Sequence, residues 1–138
     1  MRVSQGLDYA LRALTALALL PPQTSVAAGD VADRLGLPRR FVEQQLTALA
    51  KHGIVSSQRG PGGGASLGRA AHEITVRDVI VALQGEVLDV PRVSSSAVSE
   101  MWLQAASEMS RSLGSVTLDD LAGRQRELDG AGAFVYQI

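Results

Sequence analysis

Apolar residues recur every three to four positions over the first part of the chain, which is the spacing of amphipathic helices. A first helix is expected over about residues 4–20, a second over 28–35 and a third over 38–52. Ser4 is expected to cap the first helix, and Gly36 to end the second in a left-handed conformation. The side chains expected to face the core are Leu7, Ala10, Leu11, Leu14, Leu17, Ala18, Val31, Ala32, Leu35, Phe41, Val42, Leu46 and Leu49.

The second and third helices are joined by a short turn that contains glycine, which is typical of a helix-turn-helix. Pro38 opens the third helix, where its missing N–H is tolerated. A strand is expected over residues 54–59, a glycine-rich turn over 60–64 and a returning strand over 65–67. A hairpin in this position is a wing, so the pattern predicts a winged helix-turn-helix.

The rest of the chain is predicted to be helical. Residues 75–78 resemble a capping box that opens a fourth helix, a loop follows over 86–96, and a longer helix spans 97–113. Thr117 caps a last short helix to about Leu128. The tail after it, which contains Gly130 and Gly132, is expected to be loose until Phe134, Val135 and Tyr136, to which the sequence assigns no role.

One face of the third helix is polar. On a wheel of about 100° per residue, with Val42 at the buried centre, the opposite side holds Arg40, Glu43, Gln44, Thr47 and Lys51. Arg can bind a guanine edge through two hydrogen bonds, Gln can pair with adenine, and Glu can accept from the cytosine amino group. An ordinary solvated helix has a similar composition, so this face alone leaves both interpretations open.

The glycine-rich turn at residues 60–64 lacks the Gly-Lys-Ser/Thr ending of a Walker loop. Gly60, Gly62 and Ala65 fit a dinucleotide-binding spacing, but no long helix follows to hold a pyrophosphate. A wing tip explains the turn better, because glycines allow close approach to a minor groove and Arg59 supplies a cation. A plain flexible hairpin is the alternative.

The net charge of −1 hides an uneven distribution. Residues 1–72 carry eight Lys/Arg and four Asp/Glu, whereas residues 73–138 carry five Lys/Arg and ten Asp/Glu. A basic half joined to an acidic half indicates that the first half meets an anion such as nucleic acid. Chance variation in a small protein is the competing explanation.

Composition narrows the function further. The absence of cysteine excludes disulfides, thiolate catalysis and metal sites built on sulfur. The two histidines, His52 and His72, show no metal-ligand spacing, and no nucleophile has an evident base, so no enzyme, metal or cofactor is expected. There is no run of about 18 apolar residues and no secretory signal, which predicts a cytoplasmic protein without membrane contact.

The long helix carries an apolar stripe at 4-3-4 spacing with two extensions, formed by Val98, Met101, Trp102, Ala105, Met109 and Leu113. Such a stripe packs either inside its own chain or against a second copy. We favour the second, because this helix is remote from the polar face of the third helix. The predicted fold is therefore mainly α, with a winged helix-turn-helix DNA-binding domain at 1–85. Residues 86–138 then form a loop, a dimerisation helix and a C-terminal segment.

Several stretches resemble the Rrf-two family of bacterial winged helix-turn-helix transcription regulators, namely residues 1–4 (MRVS), 9–13 (YALRA), 41–44 (FVEQ), 53–55 (GIV) and 59–64 (RGPGGG). The resemblance covers about residues 1–122, and the last stretch is its most specific element. It implies base contacts from the positions of Arg40, Glu43 and Arg59. It also implies that Arg2, Ser4 and Tyr9 lie near phosphates. The full candidate DNA interface is Arg2, Ser4, Tyr9, Arg39, Arg40, Glu43, Gln44, Thr47, Lys51, Arg59, Gly60, Pro61, Gly62 and Gly63.

The chain departs from the family where many members ligate an iron–sulfur cluster with cysteines. Residues 90–96 read VPRVSSS, and Ser99 stands where some members have a histidine. Serine hydroxyls are poor ligands for such clusters, so no cofactor is expected. Gln45 is a smaller departure, because the family usually has an apolar residue there, and it puts the packing at that position in question.

These observations lead to one preferred function. The chain is expected to be a sequence-specific regulator, and a repressor, that binds double-stranded DNA as a homodimer on a palindromic operator. An effector, either a small molecule or a protein, is expected to act at the loop 86–96 or near Trp102. The alternative is a protein-interaction module that has kept the fold without binding DNA.

Overall fold

The structure, a computed structural model, describes residues 2–92 and 95–137, the stretch 131–137 by its backbone alone. Within these residues it is mainly helical, as the sequence predicts. The elements are α1 (Gln5–Ala18), α2 (Ala28–Leu35), α3 (Arg39–Ala50), β1 (Val55–Gln58), β2 (Gly64–Leu67), a 3-10 turn (Ala71–Glu73), α4 (Val76–Gln84), α5 (Ala97–Gly114) and α6 (Leu118–Gln137).

Helices α1, α2 and α3 pack around one apolar core. The residues that the spacing assigns to it are buried or half-buried, with Leu14, Val42 and Leu49 fully enclosed. Leu35 is the exception, because its side chain is 37% exposed. It lies at the end of α2 on the rim of an open groove between α1 and α6, outside the enclosed core.

Local capping signals fix the helix ends as predicted. The Ser4 hydroxyl accepts a hydrogen bond from Leu7 N at 3.1 Å at the start of α1. Gly36 ends α2 with φ of 67°. Thr75 and Asp78 form the predicted capping box of α4, with two reciprocal hydrogen bonds of 3.0 Å.

The wing is the antiparallel hairpin of β1 and β2, in which Val55 pairs with Leu67 and Gln58 pairs with Gly64. A third segment supports it, because Val26, just before α2, exchanges two backbone hydrogen bonds of 2.9 and 2.8 Å with Ala65. The wing is therefore bonded through β2 to the segment that leads into α2.

The C-terminal segment returns to the core. Thr75 and Thr117 form an isolated antiparallel bridge, and Leu118 N donates to Ile74 O at 2.9 Å. Leu118 and Ala122 are fully buried, and α6 packs on α1. The division of the chain at residue 85 stays a prediction.

The predicted end of the last helix near Leu128 and the loose tail are wrong. Helix α6 continues through Gly130 and Gly132 to Gln137. Glycine in a helix interior costs about 1 kcal/mol relative to alanine, which weakens a helix without ending it. The side chains of Phe134, Val135 and Tyr136, whose role the sequence left unassigned, lie outside the described residues.

Candidate nucleic-acid interface

The polar face of α3 is exposed as a continuous surface. Five side chains, together with Ala48, line one shallow depression along the helix; they are Arg40, Glu43, Gln44, Thr47 and Lys51. We call these five residues the recognition face. On the other side of α3, Val42, Leu46 and Leu49 are buried in the core, so the recognition face is held outward by the packing behind it.

The two adjacent arginines at the start of α3 point in different directions. Arg40 lines the recognition face. Arg39 turns back toward α2, where its Nε lies 3.1 Å from Asp33 Oδ1. The sequence placed both residues in the DNA interface, and the structure does not bring Arg39 together with the others.

The start of α1 lies against α3. The ring of Tyr9 packs edge-on against Phe41, with 5.5 Å between centroids and 82° between planes. The Gln45 amide lies beside Gly6, where an added Cβ would come 3.0 Å from Nε2. Gln45 is half-buried there, which answers the question that its polar character raised. The N-terminal part of α1 therefore borders α3 through Gly6 and Tyr9, and Arg2 and Ser4 are exposed at the start of the same helix.

The wing presents one cation beside a tight turn. Arg59 is exposed after β1, and Gly63 N donates to Gly60 O at 2.9 Å across Pro61 and Gly62. A Cβ on Gly63 would overlap the carbonyl oxygen of Gln58. Only glycine therefore fits at that point, and residues 60–62 of the turn are exposed.

The sequence interpretation missed the acidic residues of α2 that hold Arg39. Asp30 and Asp33 lie one turn apart on α2 and face the first residue of α3. Acids at this spacing are common on solvated helices, so only a three-dimensional contact reveals the pairing. The one sequence signal for this pairing was weak: a basic residue follows directly after the turn of the helix-turn-helix.

Helix α5 leaves much of its predicted dimerisation stripe uncovered. Val98 is 61% and Met101 52% exposed, while Trp102, Ala105, Met109 and Leu113 are half-buried. The face turned to α4 includes Ser110, whose carbonyl oxygen accepts from Arg77 Nη1 at 3.3 Å. The buried Ser99 lies about 20° from Ser110 around the helix. Met101 lies two residues, or about 200°, around the helix from Ser99.

Comparison with known proteins assigns the family. The profile of the Rrf2 (Rrf-two) family, described as an iron-dependent transcriptional regulator, matches residues 3–124. The chain belongs to the Rrf2 family. This confirms the resemblance seen in the sequence and the expectation that the protein is not an enzyme, because the family consists of transcriptional regulators.

Individual Rrf2 relatives agree with this assignment. The HTH-type transcriptional regulator IscR of Photorhabdus laumondii is 33% identical over 141 residues, covering 96% of this chain and 85% of the relative. The protein of that name from Escherichia coli O1:K1 / APEC is 32% identical over 141 residues, with 96% and 86% covered.

Solved Rrf2 structures share the fold. CymR (YrzC), the global cysteine regulator of B. subtilis, superposes with a TM-score of 0.80 at 28% identity over 90% of this chain and 98% of that one. T. potens IscR superposes with a TM-score of 0.79 at 30% identity, over 93% and 90% of the two chains.

The residues present do not fit the iron–sulfur cluster that the Rrf2 resemblance suggests. The full sequence has no thiolate to offer. In the loop before α5, the Ser96 hydroxyl is engaged as the cap of that helix and accepts from Ser99 N at 3.3 Å. Val93 and Ser94 lie outside the described residues. Among the residues described, no cluster of His, Asp or Glu side chains could hold a metal ion, and no helix is long and apolar enough to cross a membrane.

Proposed function

We propose that this chain is a sequence-specific regulator that inserts α3 into the major groove of double-stranded DNA and the wing tip into the adjacent minor groove. The observation that carries the proposal is the recognition face. It holds two cations, an amide, a hydroxyl and one carboxylate on a helix whose opposite side is locked into the core. Each of these groups has a known partner on a base edge or a phosphate.

The neighbouring elements support the same placement. The exposed Arg59 precedes an exposed, glycine-rich turn, which suits a narrow minor groove. Tyr9 packs against α3, and Arg2 and Ser4 are exposed at the start of the same helix, which suits phosphate contacts beside the groove. Relatives of this chain carry the name HTH-type transcriptional regulator, in agreement with DNA as the partner.

We also propose that the protein acts as a homodimer built on α5. The core of its own chain uses only part of the apolar stripe, since Leu113 packs against that core whereas the start of the stripe does not. Val98 and Met101 are left exposed, and an exposed apolar patch of this kind marks a protein contact. A two-fold dimer places two copies of α3 roughly 34 Å apart, the spacing of successive major grooves, so the operator is expected to be palindromic.

Regulation follows from this arrangement. A dimer on a promoter blocks access of the polymerase, so repression in the cytoplasm is the expected outcome. An effector, either a small molecule or a protein, is expected to act where α5 begins. There the loop is held by an ion pair of 3.1 Å between Glu86 and Arg92.

The experiment that tests the proposal is selection of duplexes from a randomised library, followed by titration of the selected sequence and a scrambled one. The expected result is a palindromic selected sequence that is bound at least about a thousandfold more tightly than the scrambled duplex. Equal affinity for both sequences, or no binding at moderate salt, would contradict DNA reading and favour a protein-interaction module.

A further inference from the structure

Arg39 is the first residue of α3, and its side chain is fixed on α2 by polar interactions. Its Nε lies 3.1 Å from Asp33 Oδ1 and donates to Gly29 O at 3.4 Å. Its Nη2 lies 3.8 Å from Asp30 Oδ1. The guanidinium therefore spans two carboxylates and a backbone carbonyl on one helix.

The surface under the guanidinium is shaped for it. Gly29 is buried on α2, and a Cβ added there would come 2.8 Å from Arg39 Nη2 and 2.9 Å from Cζ. The planar group therefore lies directly on the backbone of α2. Any residue larger than glycine would push it away.

The neighbouring arginine gives the contrast. Arg40 lines the recognition face and has no ion-pair partner among the residues that the structure describes. If Arg39 left α2 to reach a phosphate, it would abandon these interactions and leave Asp30 and Asp33 unpaired next to a polyanion. Arg40 can reach DNA without that loss.

We propose that Arg39 is a positioning residue, which fixes the start and rotation of α3 relative to α2 and contacts neither base nor phosphate. This inference rests on the proposed function, because the positioned element is the recognition face. Base reading requires side chains held within about 0.5 Å of the productive geometry. The core restrains α3 from the inside, and Arg39 restrains its first turn from the solvent side.

The energetic basis is a network. All three charged side chains are more than half exposed, and a single exposed ion pair contributes little. An arginine fork shared between two acids and a carbonyl is better defined than one isolated pair, because the planar group is already ordered. Its effect is therefore expected on the orientation of α3 more than on overall stability.

The first test needs no DNA. Arg39→Gln, Asp33→Asn and the double variant are unfolded in urea and monitored by circular dichroism. If Arg39 is anchored by α2, each single change lowers the urea concentration at which half of the protein is unfolded. The double variant is then no less stable than the less stable of the two single variants. Additive shifts would overturn the anchoring, whatever the protein binds.

The second test uses the duplex selected by the wild-type protein and a scrambled duplex, each titrated at several salt concentrations. Arg39→Gln and the pair Asp30→Asn with Asp33→Asn are both expected to reduce the ratio of selected to scrambled affinity about two- to fivefold. Both are expected to keep the wild-type salt dependence. Arg40→Gln is the matched control, and it should flatten the salt dependence or weaken the selected duplex directly.

A direct contact between Arg39 and phosphate predicts different results in these titrations. If Arg39 contacts phosphate, Arg39→Gln weakens both duplexes equally and flattens the salt slope by about 0.9. Neutralising Asp30 and Asp33 then frees a cation and tightens binding to both duplexes, with the ratio unchanged. Either result would overturn the proposal. A wild-type protein that selects no sequence would instead refute the proposed function, and the urea experiment would still decide whether Arg39 is anchored.

Discussion

Gly68 lies so close to Gly53 that a Cβ on Gly68 would overlap the Gly53 carbonyl oxygen. Gly68 N also donates to Ile54 O at 2.8 Å. The end of β2 is thus fastened, backbone to backbone, to the turn that follows α3. This backbone contact helps to fix the wing relative to the recognition face, together with the burial of Val55 and Ala65 in the core.

Gly68→Ala is therefore expected to lower the free energy of unfolding by about 1–3 kcal/mol, because the new methyl group meets a backbone atom that cannot rotate away. Gly123→Ala is the matched control. Gly123 lies within α6 with open space beside it, so the same change should raise the free energy of unfolding by about 0.5–1 kcal/mol. Urea unfolding measures both values, and equal effects of the two variants would contradict the contact.

Local signals were enough to predict most elements of this fold. The bounds of α2, the cap at Ser4 and the capping box of Thr75 with Asp78 depend on residues within one helical turn. The recognition face was also predictable, because a helix with Val42, Leu46 and Leu49 buried must turn its polar side outward.

Features that depend on distant contacts were not predictable from periodicity. Leu35 matches the buried spacing but meets only the open groove between α1 and α6. The sequence placed Arg39 among the DNA-facing cations, and only the structure reveals its contact with Asp33. The extension of α6 past Gly130 also contradicts the local signal, since glycine there predicts an end to the helix.

The dimer can be tested with one charge placed on α5. Met101→Glu is expected to raise the dimer dissociation constant by at least about tenfold, since two-fold symmetry buries the charge twice at the interface. Ser107→Glu is the matched control, because Ser107 is exposed and lies about half a turn around the helix from Val98. Sedimentation at micromolar concentration distinguishes the species. A monomeric wild-type protein, or equal effects of both variants, would refute dimerisation through this stripe.

The absence of a cluster is a prediction about chemistry that can be checked directly. Anaerobic incubation with ferrous iron and sulfide, followed by desalting, is expected to give a protein with no visible absorption band and no stoichiometric iron. The reason is that no thiolate is present to bind the cluster. A ferredoxin apoprotein treated in parallel verifies the procedure. A stable visible band with stoichiometric iron and sulfide in this protein would show that side chains other than cysteine bind a cluster.

The recognition face and the wing tip are expected to contribute to binding in different ways. Arg59 is exposed beside a glycine-rich turn, so it should enter the minor groove and interact mainly through its charge. Arg59→Ala is then expected to weaken binding to every sequence and to flatten the salt slope by about one unit, because one cation no longer neutralises a phosphate. Measurement is by titration of selected and scrambled duplexes at several salt concentrations. An unchanged salt slope would show that Arg59 stays outside the groove.

Glu43 should behave in the opposite manner. It lies on the recognition face between Arg40 and Thr47, and phosphates repel its carboxylate, so it gains only where a cytosine amino group donates to it. Glu43→Ala is therefore expected to cost about 1–3 kcal/mol on the selected duplex. On scrambled DNA the change should cost nothing, and removal of the repelled charge should tighten binding slightly. Gln44→Ala serves as the control, because it shortens a neighbouring side chain without changing the charge. If Glu43→Ala weakened both duplexes to the same extent, Glu43 would be a structural residue, and α3 would have to read DNA through a different set of side chains.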